Sequence, residues 1–407
     1  MPGWYIAFLL LATFGGSMAI VVPMAYTLAL RVDQLAPGNE QVLGYILGIS
    51  ATLSLLYGPV LGTLSDRTRS RLGRRKPYML GGCALGLLAL MIMTFAPDVP
   101  ILGLGWVLTS LGWGTAAAAL GNVLADRLAG HQRGKVAGLS GFIGQAAPVG
   151  GVVLAGVFST DQVLVFLVPG AVAALLWLPF LLFDHEEDTR ALPAPERLTI
   201  GRLLGTYVFS PRAYPDFAWN WLGNLMFFFA LSLSTTFTTF FYAQRLGIEL
   251  KDVSQMVTLT AGIGLVTATV GALGSGYLSD RIGRRRPFVL GAAALFAVGS
   301  LLSAFAHSLP GLLAGFIPMT LSIAVFAAAN QATVLDILPE RETQAGRFTA
   351  IANLAQRIAA ATAPLVAPLL VTLGATANAK NYTLLYLVSA LLGLTGGFLI
   401  FFKVRAR

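Results

Sequence analysis

The sequence predicts an all-α membrane protein of twelve transmembrane helices in two pseudo-symmetric six-helix bundles. Three observations carry that fold class. Charged residues make up 11% of the 407-residue chain and hydrophobic residues 56%, with mean hydropathy +0.75, whereas a soluble domain carries about 25% charged residues. Apolar runs of about 18 residues or more recur along the whole length, each long enough to cross ~30 Å of hydrocarbon. One short polar pattern occurs twice. Gly62-Thr-Leu-Ser-Asp66-Arg67, followed by Gly73-Arg74-Arg75-Lys76-Pro77, returns as Gly276-Tyr-Leu-Ser-Asp280-Arg281, followed by Gly283-Arg284-Arg285-Arg286-Pro287.

The elements follow in order. Span 1 (4–30) opens without a basic region and is too long for a signal peptide; its polar positions are Thr13 and Ser17. Span 2 (42–65) runs into the first copy of the pattern. Span 3 (78–96) holds the single cysteine, Cys83, which rules out an intramolecular disulfide framework. Span 4 (100–125) carries Trp106, Thr109, Ser110 and Trp113 and ends at Asp126. Span 5 (136–158) contains Ala147-Pro148-Val-Gly150-Gly151. Span 6 (163–183) gives way to Asp184-His-Glu-Glu-Asp and to Pro193, Pro195, Pro211 and Pro215, so 184–215 reads as a linker.

Span 7 (216–243) is the most informative. At about 100° per residue, Asn220, Asn224, Phe227, Leu231, Ser234, Thr235, Thr238 and Tyr242 share one face. Such a stripe faces a cavity or a partner helix; the alternative is that its hydroxyls bond back to their own helix carbonyls. Span 8 (253–278) ends in the second copy of the pattern, and span 9 (288–307) follows it. Span 10 (310–335) offers Ser322, Phe326, Asn330 and Thr333 at helical spacing and ends at Asp336. Span 11 (348–373) carries Arg357, the one charge placed deep in a helix, where it either meets an anionic substrate or satisfies carbonyls and Gln356, and span 12 (383–402) closes the set.

Alternate loops divide the Lys and Arg residues 22 to 4, with Arg357 apart. The positive-inside rule then places both termini and both Gly-Arg-Arg loops in the cytoplasm. The net charge of +9 is therefore topological, with anionic lipid headgroups as its secondary partner, and no nucleic acid is expected. His131, His185 and His307 are scattered, so neither a metal site nor a cofactor is expected. No nucleophile–base–orienter set is visible, which disfavours an enzyme.

Asp66 and Asp280 are 214 residues apart, and Pro77 and Pro287 are 210 apart. The four-residue difference is the longer first loop, and Asp126 and Asp336 keep the offset of 210. A register held across two helices indicates duplication, giving halves at 1–183 and 216–407 joined by the linker.

With twelve helices and two copies of the loop, the chain resembles the major facilitator superfamily over its whole length. Ser65-Asp-Arg-Thr-Arg-Ser-Arg-Leu-Gly-Arg-Arg-Lys-Pro-Tyr78 is similar to the longer loop of the glycoside–pentoside–hexuronide symporters and sucrose transporters. Those proteins also carry an acid at the end of span 4 and a base at the start of span 5, here Asp126 and Arg133 or Lys135. The resemblance implies alternating access by a monomer in the plasma (inner) membrane, moving a small organic solute, with a sugar or glycoside favoured. It also implies that Gly62, Asp66, Arg67, Arg74, Arg75 and Asp126, with Gly276, Asp280, Arg281, Arg284, Arg285 and Asp336, form cytoplasmic gates that latch one half to the other. Gly62 and Gly276 would admit a close helix. Spans 1, 4, 7 and 10 would line the path. Substrate contacts are then expected from Trp106, Thr109, Ser110, Trp113, Asn220, Asn224, Phe227, Thr235, Thr238, Tyr242, Ser322, Phe326 and Asn330, and from Arg357. Melibiose-type members bind their coupling cation with carboxylates in the cavity helices. None lies inside the corresponding spans here, which leaves facilitated diffusion or proton coupling and argues against sodium. Drug or metabolite efflux by proton antiport is the alternative. The Ala-Pro-Val-Gly-Gly run is one residue short of the antiporter signature, and span 4 lacks the arginine of drug–proton antiporters.

Overall fold

Helix starts are set by local chemistry that the two halves repeat. Asp98 caps span 4, its carboxylate accepting from the Ile101 N–H at 2.9 Å, with Pro100 in the first turn. Ser308 does the same for span 10 through the Gly311 N–H at 3.4 Å, with Pro310 in the first turn. Both satisfy an orphan donor where proline has none to lose. Pro77 and Pro287 begin spans 3 and 9 likewise.

The structure, a computed structural model, describes residues 2–128, 130–186, 188–190, 208–282, 285–340, 342–376 and 379–405. The side chains of residues 125, 130, 131, 133, 134, 276 and 278–280 are not described. Among the described residues all regular structure is helical, and every predicted span is present. Span 1 is Gly3–Leu35, span 2 Gln41–Arg67, span 3 Lys76–Thr94, span 4 Val99–Arg127, span 5 Gly130–Val157 and span 6 Leu164–Phe183. Span 7 is Pro215–Thr236 continued by Thr238–Leu246, span 8 Val253–Ile282 and span 9 Arg286–Phe305. Span 10 is Leu309–Asp336, span 11 Ala345–Thr372 and span 12 Tyr382–Lys403. Eleven are single helices long and apolar enough to cross a membrane, and the bent span 7 makes twelve.

Two spans are interrupted, at matching positions. Span 1 passes through a π-helical turn at Pro23–Thr27, and span 7 bends by 52° around Phe237, which lies 214 residues after Pro23. Beyond each break an arginine ties the outer segment down. Arg31 Nη2 donates to the Ala96 carbonyl at 2.6 Å, and Arg245 Nη2 donates to the Ala304 carbonyl at 2.9 Å and to Thr383 Oγ1 at 2.7 Å. The two arginines are again 214 apart.

By contacts the chain divides into two compact units, Met1–Arg197 with Ile248–Gly262, and Leu198–Gly247 with Ile263–Arg407. The start of span 8 therefore groups with the first unit. There Tyr26 Oη donates to the Lys251 carbonyl at 2.8 Å, and a Cβ added at Gly156 would meet Ser254 Oγ at 2.8 Å. Within the first unit spans 3 and 4 pack backbone to backbone. A Cβ on Gly112 would sit 2.5 Å from the Gly86 nitrogen, and one on Gly82 would sit 2.6 Å from the Gly112 carbonyl. Within the second unit Gly299 and Gly315 join spans 9 and 10 in the same way, at 2.6 and 2.8 Å from each other's carbonyls. Close approach through small residues is how helices gain packing in hydrocarbon. Large apolar side chains such as Leu56, Leu175, Leu391 and Phe402 stay exposed, as a lipid-facing surface requires.

Candidate functional site

In each unit the polar ends of the spans carry ion pairs. In the first unit Arg75 is buried and contacts three groups: Asp66 Oδ1 at 2.6 Å, Ser65 Oγ at 3.0 Å and Asp126 Oδ2 at 3.2 Å. In the second, Arg285 Nη1 reaches Asp336 Oδ2 at 3.0 Å. Asp126 and Asp336 thus tie the end of span 4 or span 10 to its unit's own Gly-Arg-Arg loop. Arg74 and Arg281 are exposed, and Arg67 has partners of its own. Arg284 and the side chains of Gly276, Asp280 and Arg133 lie outside the described residues, and Lys135 is exposed. Beyond its own helix backbone and chain neighbours, no described atom lies within 4 Å of where a Cβ on Gly62 would be, and Gly62 borders a cleft lined by Tyr57, Tyr78, Thr115 and Asn122 of spans 2 to 4.

The acidic start of the linker belongs with the first unit's ion pairs, a role the sequence reading missed. Asp184 accepts from Tyr5 Oη at 2.8 Å and pairs with Arg127 Nη1 at 2.7 Å, its side chain wholly buried. Glu186 Oε2 accepts from the Arg75 N–H at 2.8 Å at the start of span 3, where helix N–H groups favour an anion, and Glu186 Oε1 lies 3.4 Å from Arg127. Gly73, at φ +83°, leaves the space that Glu186 fills. The signal was available as four acids, Asp184, Glu186, Glu187 and Asp188, directly after an apolar run.

The polar stripe of span 7 turns inward, onto its own unit. Asn220 Nδ2 donates to Asn330 Oδ1 at 2.9 Å, and Asn330 Nδ2 donates to Asn224 Oδ1 at 3.1 Å. Next to this three-amide ladder Phe227 stacks on Phe326 at 3.6 Å with the rings within 1° of parallel, and both are fully buried. Ser234, Thr235 and Thr238 donate to carbonyls of their own helix, as does Ser322 on span 10, and Tyr242 is buried. Of the stripe only Thr235 is exposed. These side chains join span 7 to span 10.

The span 4 residues also make contacts within their own unit. Trp113 is fully buried against Gly86 and Trp177, and Trp106 is buried beside it along the helix. Ser110 Oγ accepts from Ser50 Oγ at 2.9 Å. Thr109 Oγ1 donates to Met93 Sδ at 3.3 Å. The second unit holds the same pair with its residues exchanged: Ser303 Oγ donates to Met319 Sδ at 3.8 Å, and 303 and 319 are 93 and 109 plus 210. A contact preserved through that swap is an interhelix joint.

Span 11 supplies the polar face that spans 4 and 7 do not. In its first half the exposed positions are Gly346, Asn353, Gln356, Arg357 and Ala360, with Thr349 half-buried among them. In its second half the exposed apolar positions are Val366 and Leu369, with Leu373 just past the helix end, while Thr372 is exposed on a third side. At about 100° per residue the two sets lie on opposite sides of the helix. The apolar set suits hydrocarbon. A charged and amide-bearing set suits water, because a guanidinium in lipid is costly. The inner side of this half-helix carries Phe348, Ile351 and Ala355, and the Ile351 carbonyl accepts from Trp221 Nε1 at 2.8 Å.

The Major Facilitator Superfamily model matches residues 3–275 and 255–407. The chain belongs to this superfamily. It is thus a multi-pass membrane transporter, as the twelve spans require. The General alpha-glucoside permease of Schizosaccharomyces pombe is 34% identical over 88 residues, 21% of this chain and 14% of the permease. The Proton-associated sugar transporter A of Mus musculus is 30% identical over 123 residues, 30% of this chain and 16% of that protein. The chain thus aligns with a small part of these longer proteins. The Tetracycline resistance protein, class G, of Vibrio anguillarum is 28% identical over 321 residues, 74% of each chain. Among solved structures, the nucleoside transporter NupG superposes with TM-score 0.77 at 12% identity, covering 99% of this chain and all of that one. A bacterial homologue of the human lysosomal transporter Spinster gives 0.74 at 15% identity, covering 99% and 96%. At these identities the structural likeness concerns the fold.

Proposed function

We propose that the protein carries a sugar or glycoside across the plasma (inner) membrane by alternating access, as a facilitator or coupled to protons. It works as a monomer, performs no catalysis and keeps both termini in the cytoplasm. The carrying observation is the exposed polar face of span 11, which places two amides and a guanidinium near the middle of a membrane-crossing helix. Amides and guanidinium offer the donors and acceptors that sugar hydroxyls use. The 22-to-4 division of basic residues supports the orientation. The glucoside permease and sugar transporter matches support the solute class. The functional halves are 1–183 and 216–407, joined by 184–215, whose first residues are docked through Asp184 and Glu186. Counterflow of labelled sucrose, maltose and methyl glucosides in proteoliposomes tests the proposal. Exchange of at least one supports it, and exchange of none, with methyl β-glucuronide also inert, rejects the solute class.

A second reading is efflux of a drug or metabolite, favoured by the match to the tetracycline resistance protein over 74% of the chain. Proton-driven tetracycline transport into inverted vesicles, with no sugar counterflow, would establish it instead.

A further inference from the structure

Arg357 has a feature that a neutral sugar leaves unexplained. Among the described residues it has no hydrogen-bond or ion-pair partner, although it is the thirteenth of 28 residues in span 11 and lies about 20 Å from either end of the helix. Four buried or half-buried arginines nearer helix ends are tied down: Arg31 and Arg245 by carbonyls, Arg75 and Arg127 by carboxylates. Exposed residues one turn either way, Asn353 and Ala360, leave its guanidinium open, and no carboxylate occurs anywhere in span 11. A lone cation held in a low-dielectric wall attracts counter-ions strongly, and the planar fork of arginine matches a carboxylate with two parallel hydrogen bonds.

We propose that Arg357 is an anion-recognising group and that the transported solute carries negative charge, most simply a carboxylate on a glycoside. This rests on the glycoside reading only for the choice of carbohydrate probe.

Two measurements test it. The first needs no substrate. In a Cys83→Ser background, Asn353→Cys puts the sole thiol one turn from Arg357. Its reaction rates with an anionic sulfonatoethyl and a cationic trimethylammonioethyl methanethiosulfonate are compared with those of a free thiol. We expect about a tenfold bias toward the anionic reagent, lost in Arg357→Gln and kept in Arg357→Lys. A thiol inert to both reagents, or a bias indifferent to Arg357, overturns the proposal. The second compares methyl β-glucuronide with methyl β-glucoside, which differ by one carboxylate, as competitors and as counterflow substrates. Preference for the glucuronide that disappears in Arg357→Gln supports the proposal, and equal or better use of the glucoside overturns it. If the thiol shows the bias and neither sugar binds, the glycoside reading fails and the anion site stands.

Discussion

Arg75 Nη2 lies 3.2 Å from Asp126 Oδ2, and the equivalent pair 210 residues later, Arg285 and Asp336, closes to 3.0 Å. One arginine of each Gly-Arg-Arg loop therefore holds the end of a helix two spans away in sequence terms. Both carboxylates of the first trio, on Asp66 and Asp126, are more than half exposed, so water screens each pair.

Removing one acid should accordingly cost little. Asp66→Asn or Asp126→Asn is expected to destabilise by about 1 kcal/mol or less. Arg75→Ala, which strips a buried guanidinium from three partners at once, is expected to cost about 2 kcal/mol or more. Thermal unfolding in detergent measures both. The coupling of Arg75→Ala with Asp126→Asn should be less than additive, and strict additivity would show that the two residues do not interact.

The docked linker makes a separate prediction. Gly73 has φ +83° and faces Glu186, so Gly73→Ala introduces backbone strain and displaces the carboxylate. Glu186→Gln keeps the shape and removes the charge from the start of span 3. We expect hydrogen exchange at the Arg75 amide, which donates to Glu186 at 2.8 Å, to accelerate in both variants and more in Gly73→Ala. Unchanged exchange at that amide would show that the linker contact is incidental.

The sequence made the spans and their duplication legible because both depend on local properties, namely apolar length and a turn pattern repeated in register. It did not reveal which way a polar stripe points. The stripe on span 7 is real, yet it meets Asn330 and Phe326 of its own unit, and choosing between partner helix and path needs the tertiary neighbours. The polar face of span 11 is legible in the sequence, since Thr349 is followed four residues later by Asn353, and Asn353 three and four residues later by Gln356 and Arg357. The charge at 357 stands out by itself, and the amides of Asn353 and Gln356 beside it supply the context. Nothing near Phe237 signals a bend. There the register with Pro23 is the only hint.

The asparagine ladder is predicted to be structural. Asn330→Ala removes two hydrogen bonds and leaves Asn220 and Asn224 buried without them, at a cost of about 2–3 kcal/mol. Asn330→Leu fills the space and still breaks the ladder, so it should be similarly unstable. A thermal shift near zero for both variants, with loss of transport, would instead place these amides in contact with the solute.

Thr109→Val is predicted to leave the transport KM unchanged. The hydroxyl is fully buried on Met93 Sδ, and thioether sulfur is a weak acceptor, so the loss is small. The exchanged pair Ser303–Met319 offers the control, because Ser303→Ala should behave alike. A KM raised severalfold by Thr109→Val alone would return span 4 to the solute path.

Transport should not depend on sodium. A hard cation needs several oxygen ligands, and charged ones are the usual source within membranes. Among the described residues no cluster of three or more His, Cys, Asp or Glu side chains could hold a metal ion. The acids of spans 2, 4 and 10 stand at the helix ends as Asp66, Asp126 and Asp336, and the described ion pairs of all three are to arginines. Asp126 serves as a helix-end tie, 3.2 Å from Arg75 and more than half exposed. Any proton coupling should therefore survive Asp126→Asn. Uptake into proteoliposomes under imposed sodium and pH gradients decides the matter: uphill accumulation on a sodium gradient alone would require a cation site that these spans do not provide, and proton-driven uptake abolished by Asp126→Asn would turn that helix-end tie into the coupling group.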